Sequence, residues 1–336
     1  MNMKKTIILS LVLSFLCYNT NAQSGKAFGK VFSNFNYDMT PEDGEDSFKE
    51  FELKRAYLGY SYKFNDEFST KVIFDIGKNS GGSDYTAFLK IAALSWNFNE
   101  STKINFGQIG TKNFKFMEKA WGKRYIYKSM QDQQKWANAA DVGMSIDYKI
   151  SSNLSADAQI LNGEGYKKIQ GESGLMRGGV GATYTMSLYG NDLNIRGSLD
   201  MMPREQYTDS FTTQQITTIA AVYEIGSLKL GGEMNTMLNA SNATDNTKTG
   251  MSAYANYSLN DMYSLFGRMD ILDSKNVNDE QWNMENDGQL TIFGIERKMT
   301  KGVNLALNVQ QWSDAVEEGE EESIKTTMYI NLECKF

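Results

Sequence analysis

Apolar residues recur at every second position along most of this chain, and no long helical period interrupts them, so the chain reads as strands throughout. The last ten residues show the pattern best. Met328, Ile330, Leu332, Cys334 and Phe336 fall on one face, and Thr327, Tyr329, Asn331, Glu333 and Lys335 on the other. Ala56, Leu58, Tyr60, Tyr62 and Phe64 alternate in the same way with Arg55, Tyr57, Gly59, Ser61 and Lys63. Val142, Met144, Ile146, Tyr148 and Ile150 alternate with Asp141, Gly143, Ser145, Asp147 and Lys149, and Val303, Leu305, Leu307 and Val309 with Asn304, Ala306, Asn308 and Gln310. Any antiparallel sheet with one buried face would alternate. Here the second face is polar enough to line water rather than a packed core, which predicts a closed barrel, apolar outside and wet within.

The connections alternate in length. Asn65-Asp66, Asn99-Glu100-Ser101, Ser151-Ser152, Tyr189-Gly190-Asn191, Gly226-Ser227, Asn260-Asp261 and Thr300-Lys301-Gly302 read as tight turns rich in Asn, Asp, Gly and Ser. Between them lie polar stretches near 39–48, 79–84, 113–139, 162–174, 202–211, 239–248, 272–287 and 314–322. Seven turns and eight loops predict sixteen antiparallel strands; fourteen or eighteen fit if one strand is divided differently, and the count is even in each case. The two prolines, Pro41 and Pro203, both fall in loops, where a missing ladder donor costs nothing.

Residues 1–22 stand apart. Lys4 and Lys5 precede an apolar run from Thr6 to Cys17, too short to span a bilayer as a helix, and Thr20 and Ala22 suit cleavage before Gln23: a secretory signal peptide. Lipidation at Cys17 is the alternative, but Leu16 stands where a small residue is wanted. Residues 23–336 then form one transmembrane β-barrel domain with a single cysteine, Cys334, so no internal disulfide is expected. With no histidine in the chain, His-based nucleophilic triads and the commonest zinc sites are excluded, and no enzymatic activity, cofactor or metal is expected. The mature chain carries 32 basic and 41 acidic residues, a net charge of about −9, which argues against a nucleic-acid partner. Mean hydropathy is negative, as alternating strands require.

One stretch breaks the acidic trend. Lys112, Lys115, Lys119, Lys123, Arg124, Lys128 and Lys135 are opposed only by Glu118 and Asp132, a net of +5 in and around the third and longest loop. That loop also holds Phe114, Phe116, Trp121, Tyr125, Tyr127 and Trp136, which need a surface to pack on. Folded into the lumen, it would set its lysines at the narrowest section and concentrate anions; left outside, it would meet lipopolysaccharide phosphates or a neighbouring subunit. Strand parity turns Arg55, Arg177, Arg196 and Arg268 inward beside Asp75, Asp147, Asp157 and Asp270, either as a transverse field or as pairs that satisfy one another. The first and last loops are acidic (Glu42, Asp43, Glu45, Asp46 and Glu50; Asp314, Glu317, Glu318 and Glu320 to Glu322). That is a solvated surface or a bridge through divalent cations to lipid heads, without the spacing of a defined metal loop.

Phe51 to Tyr60 followed by Phe74-Asp75, Phe106 to Phe114, Ala140 to Gly143, Leu161 to Gly165, and Gly294 to Glu296 with Asn304 to Gln310 resemble successive strands of the phosphate-selective porin O and P family. The resemblance spans nearly the whole mature chain. It implies a sixteen-stranded, usually trimeric porin of the bacterial outer membrane whose third loop folds into the pore, and in that family phosphate selection rests on lumenal arginines and a constriction lysine cluster. This chain has seven arginines and no ladder of them. A lysine ammonium lacks the bidentate fork that grips phosphate, so the residues themselves point to general anion preference. The expected function is passive diffusion of small hydrophilic solutes, anions preferred, steered by Lys115, Lys119, Lys123, Arg124, Lys128, Arg55, Arg177, Arg196 and Arg268. The terminal Phe336 resembles the signal read by barrel-assembly machinery. Expected partners are outer-membrane lipid and lipopolysaccharide, that machinery, two further copies of the chain and small anions. The competing reading is a non-conducting structural or adhesive outer-membrane barrel.

Overall fold

A computed structural model describes residues 24–42, 44–78, 84–171, 174–203, 212–316 and 323–336. The signal peptide, Asp43, Glu317, Glu318, Glu320 to Glu322, and most of the loops at 79–84, 202–211 and 314–322 lie outside the described residues.

Sixteen strands run in chain order: β1 Ser24–Asp38, β2 Lys49–Lys63, β3 Phe68–Lys78, β4 Tyr85–Asn97, β5 Thr102–Gly110, β6 Ala140–Lys149, β7 Leu154–Leu161 and β8 Arg177–Leu188. There follow β9 Asn191–Met202, β10 Gln214–Ile225, β11 Leu228–Leu238, β12 Thr247–Ser258, β13 Tyr263–Lys275, β14 Gly288–Thr300, β15 Val303–Asp314 and β16 Ile324–Lys335. Each pairs antiparallel with its sequence neighbours, and β1 closes onto β16, so the sheet has no edge. Closure is completed at the C-terminus, where the Gly29 and Phe336 backbones exchange hydrogen bonds of 3.0 and 3.1 Å.

The tight turns follow from local chemistry. The Asn65 side chain accepts from the Phe68 N–H at 2.7 Å, and Asn260 accepts from Met262 and Tyr263 at 2.9 Å each, so the side chain satisfies backbone donors that the turn leaves open. Tyr189 (φ 49°) and Gly190 (φ 78°) both occupy the left-handed region, as a two-residue hairpin between right-twisted strands requires. All seven short turns lie at one end of the barrel and the loops at the other.

The outward face is apolar and open: Phe106, Ile219 and Phe293 are 65, 63 and 64% exposed. An apolar belt of this extent suits hydrocarbon, not water. Rings gather at its turn end, where Phe68 stacks on Trp96 and Trp96 meets Phe98 edge-on at 5.0 Å. The inward face is amide- and charge-rich. In its loop-end half, Asn36 donates to Asn34, Asn34 to Glu52, Gln310 to Asn308 and Asn308 to Asn331, at 2.6 to 3.1 Å.

Alternation is broken at three bulges. The partners of Phe32 and Ser33 are Arg55 and Leu53, leaving Lys54 as an extra residue on β2. Those of Ile73 and Phe74 are Ile91 and Leu89, leaving Lys90 extra on β4, and Met299 is extra on β14. A bulge re-aims one side chain without changing the overall register. Lys54 and Arg55 therefore both reach inward groups, as do Lys90 and Ile91.

Candidate permeation site

The third loop leaves β5 at Gly110 and runs inside the barrel. Its first part is a short helix, α1 (Lys115–Trp121), ended by Gly122 in the left-handed region at φ 69°, whose N–H returns to the Glu118 carbonyl. Helical spacing sorts the faces: Met117 and Trp121 are buried against the wall, while Lys115 and Lys119 stay open to the lumen. Trp121 meets Tyr254 of β12 and Phe266 of β13 at ring distances of 5.5 and 6.0 Å. Trp121 and Tyr125, with Phe116 and Tyr127 against them, thus form a core with Phe32, Tyr57, Val222, Leu290 and Ile292 of the inward wall, and Trp136 packs in a second cluster with Ile216 and Met237. A second turn, α2 (Met130–Gln133), packs Met130 against the bare backbone of Gly250, where a side chain would collide with the methionine sulfur.

Wall cations and amides hold the loop by its backbone. Lys54 donates to the Ile126 carbonyl at 2.9 Å, Arg268 to that of Lys128 at 2.6 Å and Arg177 to that of Trp136 at 3.3 Å. Tyr125 donates its hydroxyl to Glu296 at 2.5 Å, and Gln131 donates to Thr218 and Asn235. Buried carbonyls need such donors, and long basic side chains on the wall supply them across the gap.

The sequence-predicted residues therefore divide. Arg55 grips Asp75 through two contacts of 2.8 and 2.9 Å. Arg196 is bidentate to Asp157 and Arg268 to Asp270, while Arg177 is paired with Asp200. Each wall arginine has a carboxylate partner, and two of them also anchor the loop. Lys123 is buried, paired with Glu296 at 3.0 Å and placed over the Phe266 ring. Arg124 lies between Glu118 and Asp132. Lys128 has no ion pair among the described residues; burial lowers its ammonium below the usual lysine range, the nearby Arg124 and Arg55 charges add to this, and Asp132 offsets part of it. Lys115 is lowered too, by enclosure and then by the Lys112 charge, with Glu118 and Asp147 opposing.

The fourth loop contributes as well. Tyr166 donates its hydroxyl to Asp75 at 2.8 Å, with its ring edge-on to Phe88 and beside Lys90. Arg55, Lys90, Asp75, Tyr57 and Tyr166 thereby form one polar cluster on the inner side of the β2–β4 wall.

On the turn side of this cluster lies a cavity of 740 Å³. It is lined by eight cationic side chains and two carboxylates. Glu118 and Glu333 are engaged by Arg124 and Lys335, and Lys90 by Asp75. Lys26 and Lys30 of β1, Lys71 of β3, and Lys115 and Lys119 of α1 have no carboxylate within ion-pair distance among the described residues. Sequence parity could have found Lys26, Lys30 and Lys71, since they alternate with outward positions. Parity counted from the turn side misses Lys54 and Lys90, because a bulge resets the alternation at each.

No family model matches the chain, and no curated protein does. Solved structures match it over nearly its whole length. The outer-membrane channel DcaP of Acinetobacter baumannii superposes with a TM-score of 0.69 at 12% identity, over 95% of this chain and 99% of that one. The anion-selective porin from Comamonas acidovorans gives 0.67 at 13%, over 94% and 100%, and the trimer form of in-vitro-folded OmpT of Vibrio cholerae gives 0.62 at 11%, over 94% and 100%. At these identities the likeness is one of architecture: this chain has the closed antiparallel barrel fold of outer-membrane porins.

Proposed function

We propose that this chain is an outer-membrane porin through which small hydrophilic solutes diffuse passively, with anions preferred. The observation that carries the reading is the set of inward lysines without carboxylate partners among the described residues, Lys26, Lys30, Lys71, Lys115 and Lys119, around one water-accessible cavity. Low-dielectric walls focus such a field along the pore, which raises the local anion concentration and repels cations. In a membrane the closed sheet leaves no backbone group unpaired in hydrocarbon, the tight turns face the periplasm and the loops face outward. Residues 1–22 then act as the export signal and Phe336 as part of the assembly signal. The acidic outer loops border lipopolysaccharide, and the trimeric and anion-selective proteins that share the fold support a homotrimer and an anion preference here.

Phosphate selectivity draws less support. The wall arginines Arg55, Arg177, Arg196 and Arg268 are committed to carboxylates, and the cavity cations without a carboxylate partner among the described residues are ammonium groups. Reversal potentials of the refolded full-length protein in planar bilayers under a KCl gradient test the proposal. A chloride-preferring potential is expected; potassium preference would refute anion steering, and zero conductance would favour the structural-barrel reading.

A further inference from the structure

The cavity that carries the anion reading is not uniformly polar. Phe28 and Phe32 of β1, Ile73 of β3 and Ile91 of β4 line it together with the free lysines, and Phe28, Ile73 and Ile91 are only half-buried. The Lys71 ammonium lies 5.0 Å from the centre of the Phe28 ring. The other half of the lumen differs: its β1, β15 and β16 wall is a ladder of asparagine and glutamine amides. A bare inorganic ion gains nothing from apolar side chains, which only replace water it needs for hydration. A ligand with an anionic head and an apolar body gains from both parts of this wall.

We propose that the cavity beneath the third loop binds organic carboxylates with an apolar body, medium-chain and aromatic acids, as they pass through the pore. This inference rests on the anion-preferring reading and names the solute class. The carboxylate sits among Lys71, Lys115 and Lys119, and the body lies on Phe28, Ile73 and Ile91. A volume of 740 Å³ is ample for such a solute and falls within the range of small-molecule sites. Ammonium groups attract a carboxylate and phosphate alike as point charges, but among the described residues the guanidinium forks of Arg55, Arg124, Arg177, Arg196 and Arg268 are all engaged by carboxylates, and the apolar wall serves only a solute with an apolar body.

Single-channel recording of the full-length protein in 0.1 M KCl, with hexanoate, acetate or inorganic phosphate added in turn, provides the test. Hexanoate should interrupt the chloride current with dwell times about tenfold longer than acetate, the gain expected when roughly half of its four extra methylenes leave water. Phosphate should give no resolved interruptions. Ile73→Asn with Ile91→Asn should shorten hexanoate dwells to those of acetate and leave the KCl reversal potential unchanged. Titration calorimetry on the detergent-folded protein reads the same preference without a current, so it decides the matter where a variant does not fold or no current flows. Equal affinity for hexanoate and acetate, or tighter binding of phosphate, would overturn the inference. If equal affinity accompanies chloride preference, only the solute class fails; a potassium-preferring channel rejects the anion reading whatever hexanoate does.

Discussion

Replacing Lys71, Lys115 and Lys119 together with glutamine should lower the chloride-to-potassium permeability ratio by more than an order of magnitude at low salt. A sphere of the cavity's 740 Å³ has a radius of about 6 Å, so an ammonium on its wall attracts an anion at its centre by about 0.7 kcal/mol at the dielectric of water, and about 0.4 kcal/mol after screening in 0.1 M salt. Removing three such charges costs a passing anion about 1 kcal/mol and relieves a cation by the same amount. The permeability ratio then shifts by about 2 kcal/mol, roughly 30-fold. In 1 M salt the screening length shrinks to about 3 Å, each charge contributes about 0.1 kcal/mol, and the shift falls to roughly threefold. Glutamine keeps most of the side-chain volume, so conductance for neutral solutes should hardly change. Reversal potentials at both salt concentrations give the ratio directly. An unchanged potential would refute the assignment of these lysines to ion steering, and an equal shift at both concentrations would show that the variant acts through shape.

Further outcomes follow from the loop's anchorage and the Tyr166–Asp75 contact. Arg268→Met leaves Asp270 buried without its cation and frees the Lys128 carbonyl, so it should destabilise the barrel by about 3–5 kcal/mol; pairing it with Asp270→Leu should restore most of that, measured as the temperature at which the folded band is lost on a gel. Tyr166→Ala removes the strut to Asp75 and should raise single-channel conductance, whereas Tyr166→Phe should leave it near the original value if ring bulk sets the conductance. Lys115 and Lys128 are held below the usual lysine range; each is charged below its own pKa and neutral above it, so anion preference should begin to fall with rising pH before ordinary lysines titrate. A pH series of reversal potentials on the Lys115→Gln variant should lose part of that early fall. Deleting Phe336 removes the paired Gly29 hydrogen bonds and should lower refolding yield more than Phe336→Ala, which keeps them.

The sequence by itself determined the strands, the turns and the barrel. The two-residue period of side-chain direction is local, and so is the chemistry of Asn65, Asn260 and Tyr189-Gly190, where side-chain acceptors and left-handed backbone settle each reversal within a few residues. The charge and aromatic content of the third loop marked it as exceptional for the same reason: composition needs no partner to be seen. The tertiary structure alone decided which of its cations are free. Lys123, equivalent to Lys115 and Lys119 in any reading of the chain, is neutralised by Glu296 of β14, whereas Arg124 is held by Glu118 and Asp132 of its own loop. Arg177 and Arg268 serve as anchors because loop carbonyls arrive within their reach. Lys54 and Lys90 enter the lumen through bulges defined by the register of a neighbouring strand, and Tyr166 crosses to Asp75 from a loop 91 residues away. Apart from the pairs Arg124 makes within its own loop, these contacts depend on distances between segments remote in sequence, and those distances exist only once the sheet has closed.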